Sequence, residues 1–350
     1  MKVAIAHPSP VLRDVLARAV RSVTGWRVAW TASDPEGVVA QCAAARPDIL
    51  LIGLAGDGRD AVSAIGQVVR TSSCTVLALA SPQAPPGVVM EAIGAGAVDV
   101  VPAPAVAPDG SLAGVDEIVR KLRTVSSLTR APAARRAVPP LRGPETPGGA
   151  APWLLAIGAS TGGPAALATV LGGLPTTLAA AVVVVQHVDE RFAGSLAAWL
   201  RDQVALPVVV AAEGATPTTG QVTLAGTNQD MVVGRDLALH YRTPADGSFY
   251  HPSVDALFGS IAKAWPSRGV AVLLTGIGRD GADGLLALRR RGWHTIAQDE
   301  STSVVYGMPK AAKEIGAAVE ILPVGDIASA IVRLVARTAA AGDDNGRRQD

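Results

Sequence analysis

Ser160 lies between glycines in Gly158-Ala159-Ser160-Thr161-Gly162, directly after the apolar run Leu154–Ile157 and ahead of Gly163-Pro164. A serine on a sharp strand-to-helix turn is held at the carboxyl edge of a sheet, where the N–H groups of the next helix favour developing negative charge. Ser160 is therefore a candidate nucleophile. The same glycines also suit a phosphate- or dinucleotide-binding turn, or a tight corner in which Ser160 only caps a helix. A serine attacks an acyl carbon only with a base in hydrogen-bond reach and a third group that orients the base. His187 is placed for the first task, because it follows the apolar run Ala181–Val185 through Gln186, at the end of a second strand. A histidine that simply closes the strand is the other reading. His240, His251 and His294 lack that position. A third apolar run ends in Thr275-Gly276-Ile277-Gly278-Arg279-Asp280-Gly281. Asp280 there can accept the Nδ1–H of His187, fixing its tautomer and stabilising the imidazolium. Asp283 falls about one turn into the next helix and reads as complement to the helix dipole, and capping is an alternative role for both aspartates.

These stretches need a sheet whose strand ends converge. Before residue 130, β-like runs alternate with helical patterns: Val3–Ala6, Pro10–Val23, Val28–Ala32, Pro35–Ala45, Ile49–Leu54, Asp60–Val69, Thr75–Ala80, Gly87–Ala95, Val98–Val101 and Gly114–Ser127. Five βα units of this length predict a doubly wound parallel sheet with helices on both faces. From 129 to 152 the composition turns to Pro, Gly, Ala and Arg without apolar periodicity, which predicts a linker between a domain at 1–128 and a second at 153–337. The second domain resumes the alternation with Trp153–Ile157, a helix from Pro164, Ala181–Val185, Phe192–Val204 and Val208–Ala211. Between Gly220 and Tyr241 the runs Val222–Ala225, Met231–Val233 and Leu237–Tyr241 are short and turn-separated, as in antiparallel hairpins. Val270–Leu274, Ala282–Arg291, Thr295–Gln298, Pro309–Ile315 and a last helix near Ile327–Arg337 restore the layering, and 338–350 is expected to be a disordered tail.

With 350 residues the chain can build two cores, and a net charge of +1 with only 17% charged residues argues against a polybasic nucleic-acid binder. Cys42 and Cys74 follow no metal or disulfide spacing, as expected for packing residues in a reducing cytoplasm. The apolar run at Met1–His7 breaks too early for a secretory segment, and no stretch reaches the roughly twenty apolar residues of a membrane span, so no direct membrane insertion is expected.

Gly158–Pro164, Gln186-His187, Pro252-Ser253-Val254-Asp255, Leu274–Gly281 and Gln298–Pro309 together resemble, in order through about residues 153–335, the bacterial chemotaxis protein-glutamate methylesterases, the CheB family. The order Ser, His, Asp also differs from the Ser, Asp, His order of α/β-hydrolases. The resemblance implies Ser160 as nucleophile, His187 as general base, Asp280 as orienting acid and the Ile277 backbone N–H as an oxyanion donor, with no cofactor and no metal. It implies hydrolysis of γ-glutamyl methyl esters on the cytoplasmic helices of chemoreceptors, glutamine deamidation as a second activity, and further partners among chemosensory array proteins. Where the family usually carries Met-Pro-Pro-Gly-Phe after Gln-His, this chain has Val188-Asp189-Glu190-Arg191-Phe192, so charge borders the site and the receptor preference stays open. Ser303–Pro309 offers no group suited to the chemistry, and Met308 is assigned to packing or the cleft wall.

In that family the N-terminal domain is a flavodoxin-like response-regulator receiver. Receiver chemistry needs an acidic pair after the first strand for Mg²⁺, an aspartate ending the third as phosphoryl acceptor, Ser or Thr after the fourth and Lys after the fifth. This chain has Ala6-His7, Gly53, Ala80 and Ala103 at those places. No acyl phosphate can form at Gly53; Asp48 precedes the strand, and Asp57 and Asp60 lie in the loop beyond it. His7 is expected to be a partly exposed loop histidine. The domain thus reads as a degenerate receiver, with activity not controlled by phosphorylation. A non-catalytic signalling adaptor and a serine esterase of small molecules are the alternative functions.

Overall fold

A computed structural model describes residues 1–106, 112–127, 151–244 and 251–346. The chain divides into two compact units, Met1–Ala133 and Ala134–Asp350, a division that falls within the stretch 129–152. Most of that stretch, from 129 to 150, lies outside the described residues.

The first unit runs β1 (Lys2–Ala6), α1 (Pro10–Arg21), β2 (Arg27–Ala32), α2 (Val38–Ala45), β3 (Ile49–Leu54), α3 (Arg59–Thr71), β4 (Thr75–Ala80), α4 (Pro86–Gly94), β5 (Asp99–Pro102), a short antiparallel pair β6 (Ala105–Val106) and β7 (Leu112–Ala113), and α5 (Val115–Ser127). Its sheet has the order β2-β1-β3-β4-β5, all parallel, which is the doubly wound order of flavodoxin-like folds. β3 is buried along its whole length, as a central parallel strand covered on both faces must be. α1 starts where it does because the Ser9 hydroxyl accepts the Leu12 N–H and Pro10 suits the first turn. Its buried face, Leu16, Ala17 and Val20, joins Ile5, Leu51, Leu79 and Ile118 in one core. Strand order reverses between β1 and β3, the point where such sheets open a crevice for ligands.

The second unit runs β8 (Trp153–Ala159), α6 (Gly163–Gly172), β9 (Ala180–Gln186), α7 (Glu190–Gln203), β10 (Val208–Val210), β11 (Val222–Leu224), β12 (Asp230–Val233), β13 (Leu239–Arg242), α8 (Val254–Ala264), β14 (Gly269–Leu273), α9 (Ala282–Arg290), β15 (His294–Gln298), α10 (Met308–Glu314), β16 (Glu320–Leu322) and α11 (Val324–Gly346). Seven parallel strands take the order β10-β11-β9-β8-β14-β15-β16. β8 is central, with β9 on one side and β14 on the other, so the chain reverses direction across the sheet between β8 and β14. The carboxyl ends of these three strands meet at that switch point.

The structure departs from the sequence pattern in several places, beginning with the short strands β6, β7 and β16, which that pattern did not show. The run at Val222 is not part of a hairpin: β11 joins the main sheet in parallel between β9 and β10, with Val222, Thr223 and Leu224 all buried, and only β12 and β13 pair antiparallel. α8, absent from the pattern-based reading, packs against α9 and β12. α11 continues to Gly346, past the Arg337 end expected for it.

Candidate active site

Ser160 and His187 each follow directly on a strand, and those strands pair in register up to Ala159 opposite Gln186. The two residues therefore stand side by side at the sheet edge. Backbone and side-chain bonds fix them there. The His187 N–H donates to the Ala159 carbonyl (3.0 Å), and the buried Gln186 amide donates to the carbonyls of both Ser160 (2.9 Å) and His187 (3.1 Å). On the opposite side the Ser160 N–H donates to the Thr275 carbonyl at 3.0 Å, tying the Ser160 turn to the segment that leaves β14. Thr275 is itself fully buried, donating its hydroxyl to the Thr161 carbonyl (2.9 Å) and its N–H to Gln298 Oε1 (2.8 Å). Gly162, at φ 78°, makes the turn into α6 in a left-handed conformation that glycine adopts without strain, and the Gly163 N–H closes on the Ser160 carbonyl at 2.7 Å.

Asp280 reaches His187 from the far side of β8, with Oδ2 at 2.8 Å from His187 Nε2. The sequence pointed to Nδ1 as the bonded nitrogen; the structure replaces it with Nε2. The carboxylate is buried (8% exposed) and its oxygens accept three further hydrogen bonds, from Ser253 Oγ (2.9 Å), the Val254 N–H (2.6 Å) and the Asp255 N–H (3.0 Å). Burial alone would favour the neutral acid, but the bond to His187 and the α8 N–H groups overcome it and hold Asp280 below the ordinary carboxylate range. Asp255, by contrast, is pushed up to about 6, chiefly by burial and further by the charge of Asp280. Ser253, Asp255, Gln186 and Thr275 thus belong to the site's support, and none was singled out from sequence for that role. Ser253 followed by an acidic first turn was a readable helix start.

The turn from Thr275 to Asp280 lies on the other side of Ser160. The Gly276 N–H donates to the Val305 carbonyl at 3.0 Å, whereas the Ile277 N–H donates to no acceptor among the described residues although Ile277 is 6% exposed. A Cβ on Gly276 would lie 2.7 Å from Ser160 Cβ and collide with the sulfur of the fully buried Met308. Met308 is packing beneath the site. Asp283, in the first turn of α9, is exposed and pairs with Arg279 at 3.1 Å. In the altered loop, Asp189 pairs with Arg191 at 2.8 Å, and Glu190 and Asn228 exchange backbone-to-side-chain bonds of 3.0 and 3.2 Å.

The CheB methylesterase family model matches residues 155–331. A protein-glutamate methylesterase/protein-glutamine glutaminase from Bordetella avium (strain 197N) is 40% identical across 97% of this chain and 98% of its own length. The chain belongs to the CheB methylesterase family. A protein of the same name from Burkholderia orbicola (strain AU 1054) is 43% identical over 95% of this chain and 99% of its own. The crystal structure of the Thermotoga maritima CheB methylesterase catalytic domain is similar with a TM-score of 0.50 and 32% identity, covering 52% of this chain and 98% of that one.

In this CheB-family chain the corresponding edge of the first unit is filled. His7 follows β1, and its N–H donates to the Ala32 carbonyl at 3.0 Å while its Nδ1 accepts the Ser9 N–H at 3.0 Å. It is 7% exposed, not the partly exposed loop residue that its position suggested. The cause is Gly53: a Cβ there would collide with His7 Cδ2 and lie 3.0 Å from Nε2, so the imidazole occupies space that only a glycine leaves. Burial, and then the nearby Arg13 guanidinium, lower the His7 pKa from its ordinary 6.5. Ala80 and Ala103 are buried, whereas Asp57 and Asp60 are exposed on the loop and first turn beyond β3. Among the described residues no group of three or more His, Cys, Asp or Glu side chains could hold a metal ion, and no helix is long and apolar enough to cross a membrane.

Proposed function

We propose that this protein hydrolyses glutamate γ-methyl esters on the cytoplasmic helices of chemoreceptors, and deamidates glutamine there, with Ser160 as nucleophile, His187 as base and Asp280 as orienting acid. The observation that carries the reading is the 2.8 Å His187–Asp280 pair, assembled from sites far apart in the chain, beside a serine whose strand is in register with that of the histidine. With Nε2 on Asp280, Nδ1 is the nitrogen that takes the Ser160 proton as Oγ attacks the ester carbon. The developing oxyanion is met by the Ile277 N–H, a buried donor with no other acceptor among the described residues. The imidazolium then protonates the leaving methoxide, and methanol departs. Water, deprotonated by His187, cleaves the acyl-serine to give glutamate and the original enzyme. For a glutamine substrate the same steps release ammonia.

The first unit is a receiver-like domain without a phosphoacceptor, so phosphorylation does not govern this activity. The domain limits 1–128 and 153–337, a cytoplasmic location and docking to chemosensory array proteins complete the proposal. Methanol release from a methylated chemoreceptor fragment tests it: wild type should release methanol and Ser160→Ala should not, and a Ser160→Ala protein with near-normal turnover would end the triad assignment.

A further inference from the structure

The support beneath the triad is reciprocal. α8 and α9 each point their first N–H groups at a carboxylate that belongs to the start of the other. The Val254 and Asp255 N–H groups of α8 donate to Asp280, two residues ahead of α9, and the Gly284 N–H of α9 donates to Asp255 Oδ1 at 2.7 Å. The helices approach closely enough that a Cβ on Gly284 would lie 2.6 Å from Phe258 Cβ and 3.2 Å from Asp255 Cα. Asp280 is thereby surrounded: two of its acceptors go to α8 backbone, one to Ser253 Oγ and one to His187. Moving α8 relative to α9 must move the carboxylate that aims the imidazole, and the single side chain that links α8 back to α9 in this ring of bonds is Asp255.

We propose that Asp255 is a positioning residue for the esterase reaction, clasping the starts of α8 and α9 so that Asp280 holds His187 in its catalytic orientation. The inference rests on the triad reading above. Asp255 does not touch the reacting atoms; it acts through Asp280. The charged groups facing this clasp are Asp280 and Asp283 with its partner Arg279 from the β14–α9 side, His187 beyond Asp280, and Asp230 of β12, whose Oδ1 accepts the Ser253 N–H at 2.9 Å. An ionised Asp255 binds the Gly284 N–H more strongly than a neutral one and adds negative charge behind the Asp280–imidazolium pair. Protonating Asp255 should therefore loosen the clasp, so that wild-type turnover falls more steeply toward acid pH than that of a variant with no proton to gain there.

The test uses the full-length protein and a synthetic receptor-helix peptide carrying a glutamate γ-methyl ester, with kcat and KM followed from pH 5 to 8 and folding followed by thermal unfolding. Asp255→Ala should lower kcat about 10- to 100-fold with KM little changed, a size expected for a misplaced catalytic group. Asp255→Asn keeps a carbonyl acceptor for the Gly284 N–H, so it should fold, retain KM, recover part of the lost kcat and show a shallower acid limb than wild type. Wild-type kcat and acid-limb slope in both variants, or a loss confined to KM, overturn the proposal. If Asp255→Ala does not fold, the Asn variant alone decides, by its acid-limb slope. Ser160→Ala in the same assay separates the two readings: its inactivity beside unaffected Asp255 variants removes only the clasp, whereas its retained activity removes the triad as well.

Discussion

The second sheet ends in polar groups that bond to one another, and the first ends in an imidazole packed on a glycine. Both are open parallel sheets with a reversal of strand order, and both therefore present a crevice at the carboxyl ends of their central strands. In the second unit β8, β9 and the segment after β14 bring Ser160, His187 and Asp280 together, and the support from Gln186, Thr275 and the α8 N-terminus satisfies the groups that burial would otherwise penalise. In the first, β1 and β3 bring His7 to Gly53 and the space for an acidic cluster is gone. The two edges show that the architecture supplies a place and a direction, while the chemistry depends on which side chains stand at a few strand ends.

The comparison breaks most directly at the second edge. Ser160→Ala and His187→Ala should each lower methyl-ester hydrolysis on the order of 10³-fold or more, with the fold retained, because both side chains lie at a sheet edge outside the apolar core. Asp280→Asn should also be severe, since an amide facing Nε2 no longer stabilises the imidazolium and donates toward α8 N–H groups that need an acceptor. Steady-state methanol release alongside circular dichroism checks all three, and activity retained by any of them would make the two edges equally inert.

At the first edge the matching substitution is Gly53→Asp, which restores a carboxylate at the position a receiver would use. Here it should not restore chemistry. The added Cβ collides with His7, and overpacking of this kind costs about 1–3 kcal/mol. Thermal unfolding should therefore show a destabilised first unit, and a Gly53→Asp protein as stable as wild type would mean that His7 yields its place freely.

The strands that carry both edges were legible because each is a nearly unbroken apolar run, and as candidates Ser160 and His187 stood out just beyond such runs and Asp280 in the glycine-rich turn that follows a third. What escaped was set by contacts between distant segments. Val222–Leu224 looks like a hairpin strand in isolation, since three residues cannot display a period; only its pairing with β9 and β10 makes it part of the main sheet. The bond of Asp280 to Nε2 rather than Nδ1 joins residues 93 positions apart, and residue types alone do not say which ring nitrogen such a contact uses. The burial of His7 depends on the missing side chain of Gly53 on another strand, so neither residue announces it alone.

A smaller effect follows from that burial. His7 has a lowered pKa, so its proton is bound more weakly in the folded first unit than in the unfolded chain. The sign is fixed by linkage: the unfolded state takes up the proton first, stability is full above the ordinary value of 6.5 and declines as the pH falls below it. Hydrogen-exchange protection of β1 and β3 amides should fall between pH 7 and pH 5 more than that of β8 and β9. Replacing His7 by Leu should flatten the difference, and an unchanged pH dependence in His7→Leu would place the titrating group elsewhere.

The smallest expected effect is no effect at all. A receiver responds to a small phosphodonor because an aspartate attacks phosphorus while Mg²⁺ and a lysine neutralise the charge that gathers on the phosphoryl oxygens. Gly53 removes the attacking oxygen, Ala6-His7 removes the acidic pair, and Ala80 and Ala103 stand where a hydroxyl and an ammonium would be needed. The nearest remaining carboxylates are solvent-exposed: Asp57 accepts the Arg59 N–H at 3.2 Å, and Asp60 sits in the first turn of α3. Among the described residues no group of three or more His, Cys, Asp or Glu side chains, these two included, could hold a metal ion. Incubation with acetyl phosphate and Mg²⁺ should therefore leave the intact mass and the rate of methyl-ester hydrolysis unchanged, while a receiver with its full acidic set gains a phosphoryl group in the same mixture. A phosphoryl-sized mass increase mapped to Asp57 or Asp60, together with faster hydrolysis, would show that the filled edge had been bypassed and that the first unit still works as a phosphorylation switch.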